Sequence, residues 1–232
     1  MKKILLALLV LFAGCQEYKP KTQHISVIVD LTDEDSYKPT YNEIASYIAK
    51  GHSSDGLFIS LLYVCVTRYA LSYEFELPIG ETGFLSNEDT RRRKKRMLLS
   101  QFKDTLENTK RGLSPQSEIF RLVAEELNKL SMVNGTRNIL VFSDLEEHSF
   151  FSVYKNQDVQ KLLLQPELVV QQFANEVSLS DDLSGITVHI IYIPSLEEEK
   201  VFTAMIGVYR ILLESRGAIL ITTRTKRVQF RP

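Results

Sequence analysis

The feature that most constrains the fold is a rhythm. From residue 24 almost to the end of the 232-residue chain, short apolar runs alternate with longer segments of helical periodicity. The runs "ISVIVD", "NILVFS", "ITVHIIYIP" and "AILITTRT" are rich in β-branched residues and read as strands. Between them, "SPQSEIFRLVAEELNKL" places Ile119, Leu122, Val123 and Leu127 at helical spacing. Helical patterns recur over "PTYNEIASYIAKG", where Pro39 suits a first turn and Gly51 a stop, over residues 158–177, and over 196–215 with Gly217 as the stop. Strands that alternate with helices imply a largely parallel sheet covered on both faces.

One stretch departs from the rhythm. "GLFISLLYVCVTRYALSYEFELP" is too long for an ordinary strand and lacks strong helix caps, so it reads as two strands, 57–66 and 69–77, that turn sharply and pair antiparallel. A charged segment of helical composition, 87–111, follows. Six strands result, in one α/β domain spanning residues 24–232. A content of 44% hydrophobic and 25% charged residues supports such a core, and no internal repeat or low-complexity tract interrupts it.

Residues 1–14, "MKKILLALLVLFAG", have the layout of a secretory signal: two lysines, then an apolar run too short to span a bilayer as a finished helix. Leu11-Phe12-Ala13-Gly14-Cys15 resembles the lipobox of bacterial lipoproteins, in which the cysteine is lipidated and becomes the mature N-terminus; Phe12 stands where that pattern usually has an aliphatic residue. The resemblance implies a lipid on Cys15, a tether over 15–23, and anchorage in a bacterial cell envelope. Gln16 is not the aspartate that often marks inner-membrane retention in such proteins, which favours the outer membrane. Cys65 lies in an apolar run and reads as an inert buried thiol, so no disulfide is expected.

Two apolar runs empty into acid. "DLTDEDS" follows the first strand and "DLEEHS" the strand near residue 140, and clustered carboxylates repel unless something offsets them. In open parallel sheets ligands sit beyond the carboxyl ends of the strands, where Asp30 and Asp144 both fall. The loop before the helix starting near Glu118 would bring Ser114 and Ser117 to the same rim. Hydroxyl and carboxylate oxygens suit Mg²⁺, with Mn²⁺ or Ca²⁺ as alternatives, and no thiolate or histidine cluster suggests zinc. The bland alternative is that both aspartates cap backbone amides.

From about residue 24 to 228 the chain resembles a von Willebrand factor type A (vWA) domain with a degenerate metal-ion-dependent adhesion site. Asp30-Leu31-Thr32-Asp33-Glu34 matches the family's Asp-x-Ser-x-Ser loop at its first position and conservatively at its second, while Glu34 replaces a hydroxyl. Ser117 matches the family's second-loop threonine, and Asp144 its third-loop aspartate. The resemblance implies a doubly wound, Rossmann-like sheet with one antiparallel edge strand, in the order 3-2-1-4-5-6. It also implies a metal site at Asp30, Thr32, Glu34, Ser117 and Asp144. A glutamate at position 34 would reach the metal directly or point to solvent, with Ser36 taking part instead. The expected function is a membrane-anchored module that recruits a protein partner, without turnover.

Other signals have simpler readings. Arg91–Arg96 are six consecutive cations, but spread at 100° per residue they form no single stripe, and Glu88, Asp89, Asp104 and Glu107 lie within helical reach. A solvated helix is the plain reading, contact with anionic headgroups or glycans the alternative, and a formal charge of -1 gives no global attraction to nucleic acid. His148 reads as a solvent-facing loop residue or a ligand, His189 as a hydrogen-bonded core residue, Asp181-Asp182 and Asn134-Gly135 as turns. The rival function is a metal-dependent phosphatase-like hydrolase in which Asp30 accepts the phosphoryl group. Against it, position 32 is a threonine where such enzymes usually carry an aspartate, and no lysine is well placed for the phosphate.

Overall fold

The computed structural model describes residues 18–32, 37–48, 51–64, 71–81, 87–109, 116–192 and 199–224. Their strands are β1 (Thr22–Asp30), β2 (Gly56–Val64), β3 (Leu71–Leu77), β4 (Thr136–Phe142), β5 (Ile186–Tyr192) and β6 (Ile219–Arg224). The helices are α1 (Tyr41–Ala45), α2 (Glu88–Asn108), α3 (Ile119–Ser131), α4 (Asn156–Leu164), α5 (Pro166–Glu176) and α6 (Glu199–Glu214). All six strands form one sheet in the order β3-β2-β1-β4-β5-β6, the Rossmann-like, vWA-type order. Every neighbouring pair is parallel except β2 and β3, so the antiparallel strand stands at the edge as expected.

Side chains of a strand alternate between faces, and the two cores divide accordingly. Ile25, Val27 and Val29 of β1 pack on one face with Ile44 of α1 and Phe102 and Leu106 of α2. Ile28 joins the other core, with Phe120, Val123 and Leu127 of α3 and Met205 and Tyr209 of α6. On that second face Phe120 lies edge-on to Phe173 (4.9 Å between centroids) and to Tyr209 (5.1 Å). Burying a side chain of this size stabilises the fold by roughly 2–3 kcal/mol. Glu126 of α3 faces the same core, where its carboxylate accepts from the Ser26 hydroxyl (2.8 Å) and from Lys129 (2.6 Å).

Some boundaries differ from the sequence reading. The helix expected over 158–177 is two, because Pro166 occupies the first turn of α5 and the residue before a proline is pushed out of helical geometry: Gln165 has φ -143° and ψ 58°. Pro39 stands before the cap, not in the first turn; Thr40 is the N-cap of α1, and Glu43 reaches back to its N–H (2.7 Å) and hydroxyl (2.8 Å). Gly217 closes α6 with φ +89°, and Gly135 turns the chain into β4 with φ +121°. The Asp181-Asp182 turn is present, with the Asp182 carboxylate accepting from the Ser184 N–H (2.9 Å). His189 is half-buried and meets Tyr47 edge-on at 4.8 Å. The β2–β3 connection, Cys65, Ser114 and the signal segment with Cys15 lie outside the described residues.

Candidate functional site

The order β3-β2-β1-β4-β5-β6 reverses between β1 and β4, so crossovers leave these strands toward opposite faces. The crevice beyond their carboxyl ends is where open α/β sheets take ligands. Asp30 ends β1 on the same face as Ser26 and Ile28, turned toward α3, and is only 4% exposed. Ser143 follows β4 on the face of Ile139 and Val141 and meets Asp30 from the next strand. One Asp30 oxygen, Oδ1, accepts from the Thr32 N–H (3.1 Å) and hydroxyl (2.7 Å), and Oδ2 accepts from the Ser143 hydroxyl (3.0 Å). Ser143 in turn accepts from the Leu145 N–H (2.9 Å).

The loop after β4 is bent back on itself. Leu145, buried, has φ +62°, a left-handed conformation that costs a non-glycine residue of order 1 kcal/mol. Asp144, half-buried, accepts from the Glu146 N–H (2.9 Å). The bend drives Glu147 into the interior, where it is 0% exposed and accepts from the Phe120 N–H (3.0 Å) and from the Ser149 hydroxyl. Burial pushes the Glu147 carboxyl up to about 7; the bonds from Ser149 and Phe120 oppose the rise, and the charges of Glu118 and Asp30 add to it.

Ser117 pairs with His148 through the backbone in both directions, N–H to carbonyl at 3.2 and 3.0 Å, which clamps the approach to α3 against the β4 loop. Among the described residues the buried Ser117 hydroxyl has no hydrogen-bond partner, nor has the buried Tyr209 hydroxyl of α6. Burial raises the Tyr209 phenol well above its usual range, and the charges of Glu147 and Asp30 push the same way. Orphaned buried hydroxyls are rare because each forfeits its bonds to water. The His148 ring engages Ser152 (2.7 Å) and lies edge-on to Tyr154.

Of the residues expected from sequence, Asp30 and Thr32 meet directly, Asp144 adjoins them through Ser143, and Ser117 enters through His148. Glu34 and Ser36 lie outside the described residues. Ser143, Glu147 and Tyr209 were missed as members of the site. Tyr209 was open to detection, since it shares the apolar stripe of α6 with Phe202, Met205 and Leu212. Among the described residues, no three histidine, cysteine or carboxylate side chains form a group that could hold a metal ion. The oxygens at this edge, the Asp30 carboxylate with the hydroxyls of Thr32, Ser143 and Ser117, are hard donors of the kind Mg²⁺ or Ca²⁺ takes. Both aspartates also cap backbone amides, so the bland reading describes their present bonds. Both Asp30 oxygens accept hydrogen bonds, and each keeps a lone pair for a further partner.

No protein-family model matches the chain, and no curated protein matches it. The fold therefore rests on its own geometry: an α/β domain of Rossmann-like, vWA-type strand order, with buried acids and hydroxyls at its switch point.

Proposed function

We propose that the protein is a binding module, anchored through lipid on Cys15 to the outer membrane of a bacterial cell envelope, that recruits a protein partner at the rim of Asp30, Thr32, Ser117 and Asp144. The observation that carries the reading is the buried, unpartnered hydroxyl of Ser117, bonded through its backbone to the loop that buries Glu147, a carboxyl that feels the charge of buried Asp30. Such a set is costly to maintain for stability alone. Mg²⁺, or Mn²⁺ or Ca²⁺ in its place, would offset that negative charge when bound and offer a partner's carboxylate a positive centre. Asp30, Thr32, Ser117 and Asp144 would hold it, with Glu34 as a further donor. Thr32 and Asp144, both only partly buried, would meet the partner. No substrate is turned over in this reading.

Photo-crosslinking tests it. A photoreactive residue at exposed Tyr154, which adjoins Glu146 and His148 of the rim loop, should give one protein adduct in intact cells, lost on Asp144→Ala, while the same residue at exposed Gln171 of α5 gives none. Equal adducts from both positions, or none from Tyr154, would overturn the proposal. Metal-dependent release of phosphate from an aryl phosphate, abolished by Asp30→Ala, would replace it with the hydrolase.

A further inference from the structure

The six cations Arg91–Arg96 take no part in the rim, and they lie at the opposite end of the molecule. Residues 18–21 enter β1 at the amino edge of the sheet, about 30 Å of strand away from Asp30. There the Tyr18 hydroxyl donates to Asp55 (2.7 Å), its ring lies 4.2 Å from that of His52, and the Lys21 N–H donates to Asp55 (2.9 Å). The start of α2 meets the same loop, because Arg91 donates to the carbonyls of Ser53, Asp55 and Pro78. Helix α2 then runs about 31 Å toward the rim. Its far end is held by Lys38, which donates to the carbonyls of Glu107 (2.9 Å) and Thr109 (2.7 Å).

The six are not equivalent. Arg91 is committed to backbone carbonyls, and Arg92 pairs with Glu88 (2.9 Å). Arg93, Lys94 and Arg96 are exposed, and Lys95 lines a cleft of about 440 Å³ with His52, Ser53, Glu88, Arg91 and Arg92. Among the described residues no acid lies within ion-pair distance of Arg93, Lys94, Lys95 or Arg96. Glu88 and Asp89 occupy the first turn, where the helix dipole favours anions, and the cations without an ion pair follow from the second turn on. Lys19 and Lys21 add exposed positive charge on the incoming segment.

Cys15 lies three residues before Tyr18, so a lipid on it would be attached within about 11 Å of this edge. We propose that the amino edge of the domain, made of the second and third turns of α2 and the cleft beside His52, docks on the phosphate headgroups of an anionic bilayer. The acidic rim then faces away from the membrane. A polybasic patch beside such an anchor adds an attraction to anionic headgroups that orients the domain on the surface. The orientation rests on the Cys15 reading; the affinity for headgroups does not.

Vesicle sedimentation of the purified full chain separates the two. Vesicles of phosphatidylcholine alone report the lipid anchor, and the increment on adding phosphatidylglycerol reports the patch. The increment should vanish at high salt and fall about a hundredfold or more in Arg93→Glu/Lys94→Glu/Arg96→Glu. The milder set Arg93→Gln/Lys94→Gln/Arg96→Gln gives the same readout if the reversal unfolds the helix. No binding to neutral vesicles with the anionic increment intact would refute the anchor alone. No increment, an increment that the substitutions leave unchanged, or retention by immobilised heparin without vesicle binding would overturn the docking surface.

Discussion

Replacing Glu147 by glutamine should make the protein more stable at neutral and mildly alkaline pH. The wild-type carboxyl is fully buried and raised from 4.5 to about 7, a displacement that corresponds to about 3 kcal/mol. In the unfolded chain the group ionises near the lower value, so between the two folding takes up a proton. Stability from this group is therefore fully present below 4.5 and lost as pH rises through about 7. Glu147→Gln keeps a carbonyl to accept from the Phe120 N–H and carries no charge to desolvate. Urea unfolding at about pH 5 and about pH 8 should find the two proteins similar at the lower pH, with the variant about 3 kcal/mol more stable at the higher. His24 and His189, both lowered by burial, gain stability as pH rises, but they do so in both proteins and cancel in the difference. A variant that tracks the wild type at both pH values would refute the reasoning. So would one that is less stable at the higher pH.

Three further outcomes follow from the packing. Phe120→Ala should lose about 3–5 kcal/mol in urea unfolding, because a fully buried ring set against Phe173 and Tyr209 leaves a cavity the helices cannot close. Arg91→Ala should lower stability by about 1–2 kcal/mol through the carbonyls of Ser53, Asp55 and Pro78, whereas Lys94→Ala should change it little. Gly135→Ala should cost about 2 kcal/mol or more in a thermal melt, since φ +121° is strained for alanine and its Cβ would meet the Thr22 carbonyl oxygen.

The sheet was legible because buried parallel strands declare themselves by apolar runs without turn residues, and because the hairpin segment was too long for one strand. Asp30 was legible as the first charge after such a run. Glu147 was not. Its burial depends on Leu145 adopting a left-handed bend that folds the loop onto the start of α3, and no local pattern marks leucine for that conformation. Ser143 was visible only as a strand end, and its bond to Asp30 depends on the pairing of β1 with β4. The break between α4 and α5 was written in Gln165-Pro166, but the apolar spacing on either side concealed it. The cationic run likewise divided only in three dimensions, with Arg91 turned inward and Arg93, Lys94 and Arg96 outward.

Calorimetric titration of the purified chain with Mg²⁺, Mn²⁺ and Ca²⁺ tests the rim most directly, repeated on Asp30→Ala, Ser117→Ala and Asp144→Ala, with circular dichroism to show that each variant is folded. The wild type should bind at least one ion saturably, and binding should be lost in Asp30→Ala, Ser117→Ala and Asp144→Ala. Absence of binding by the wild type, or unchanged binding in folded Asp30→Ala, would contradict this reading.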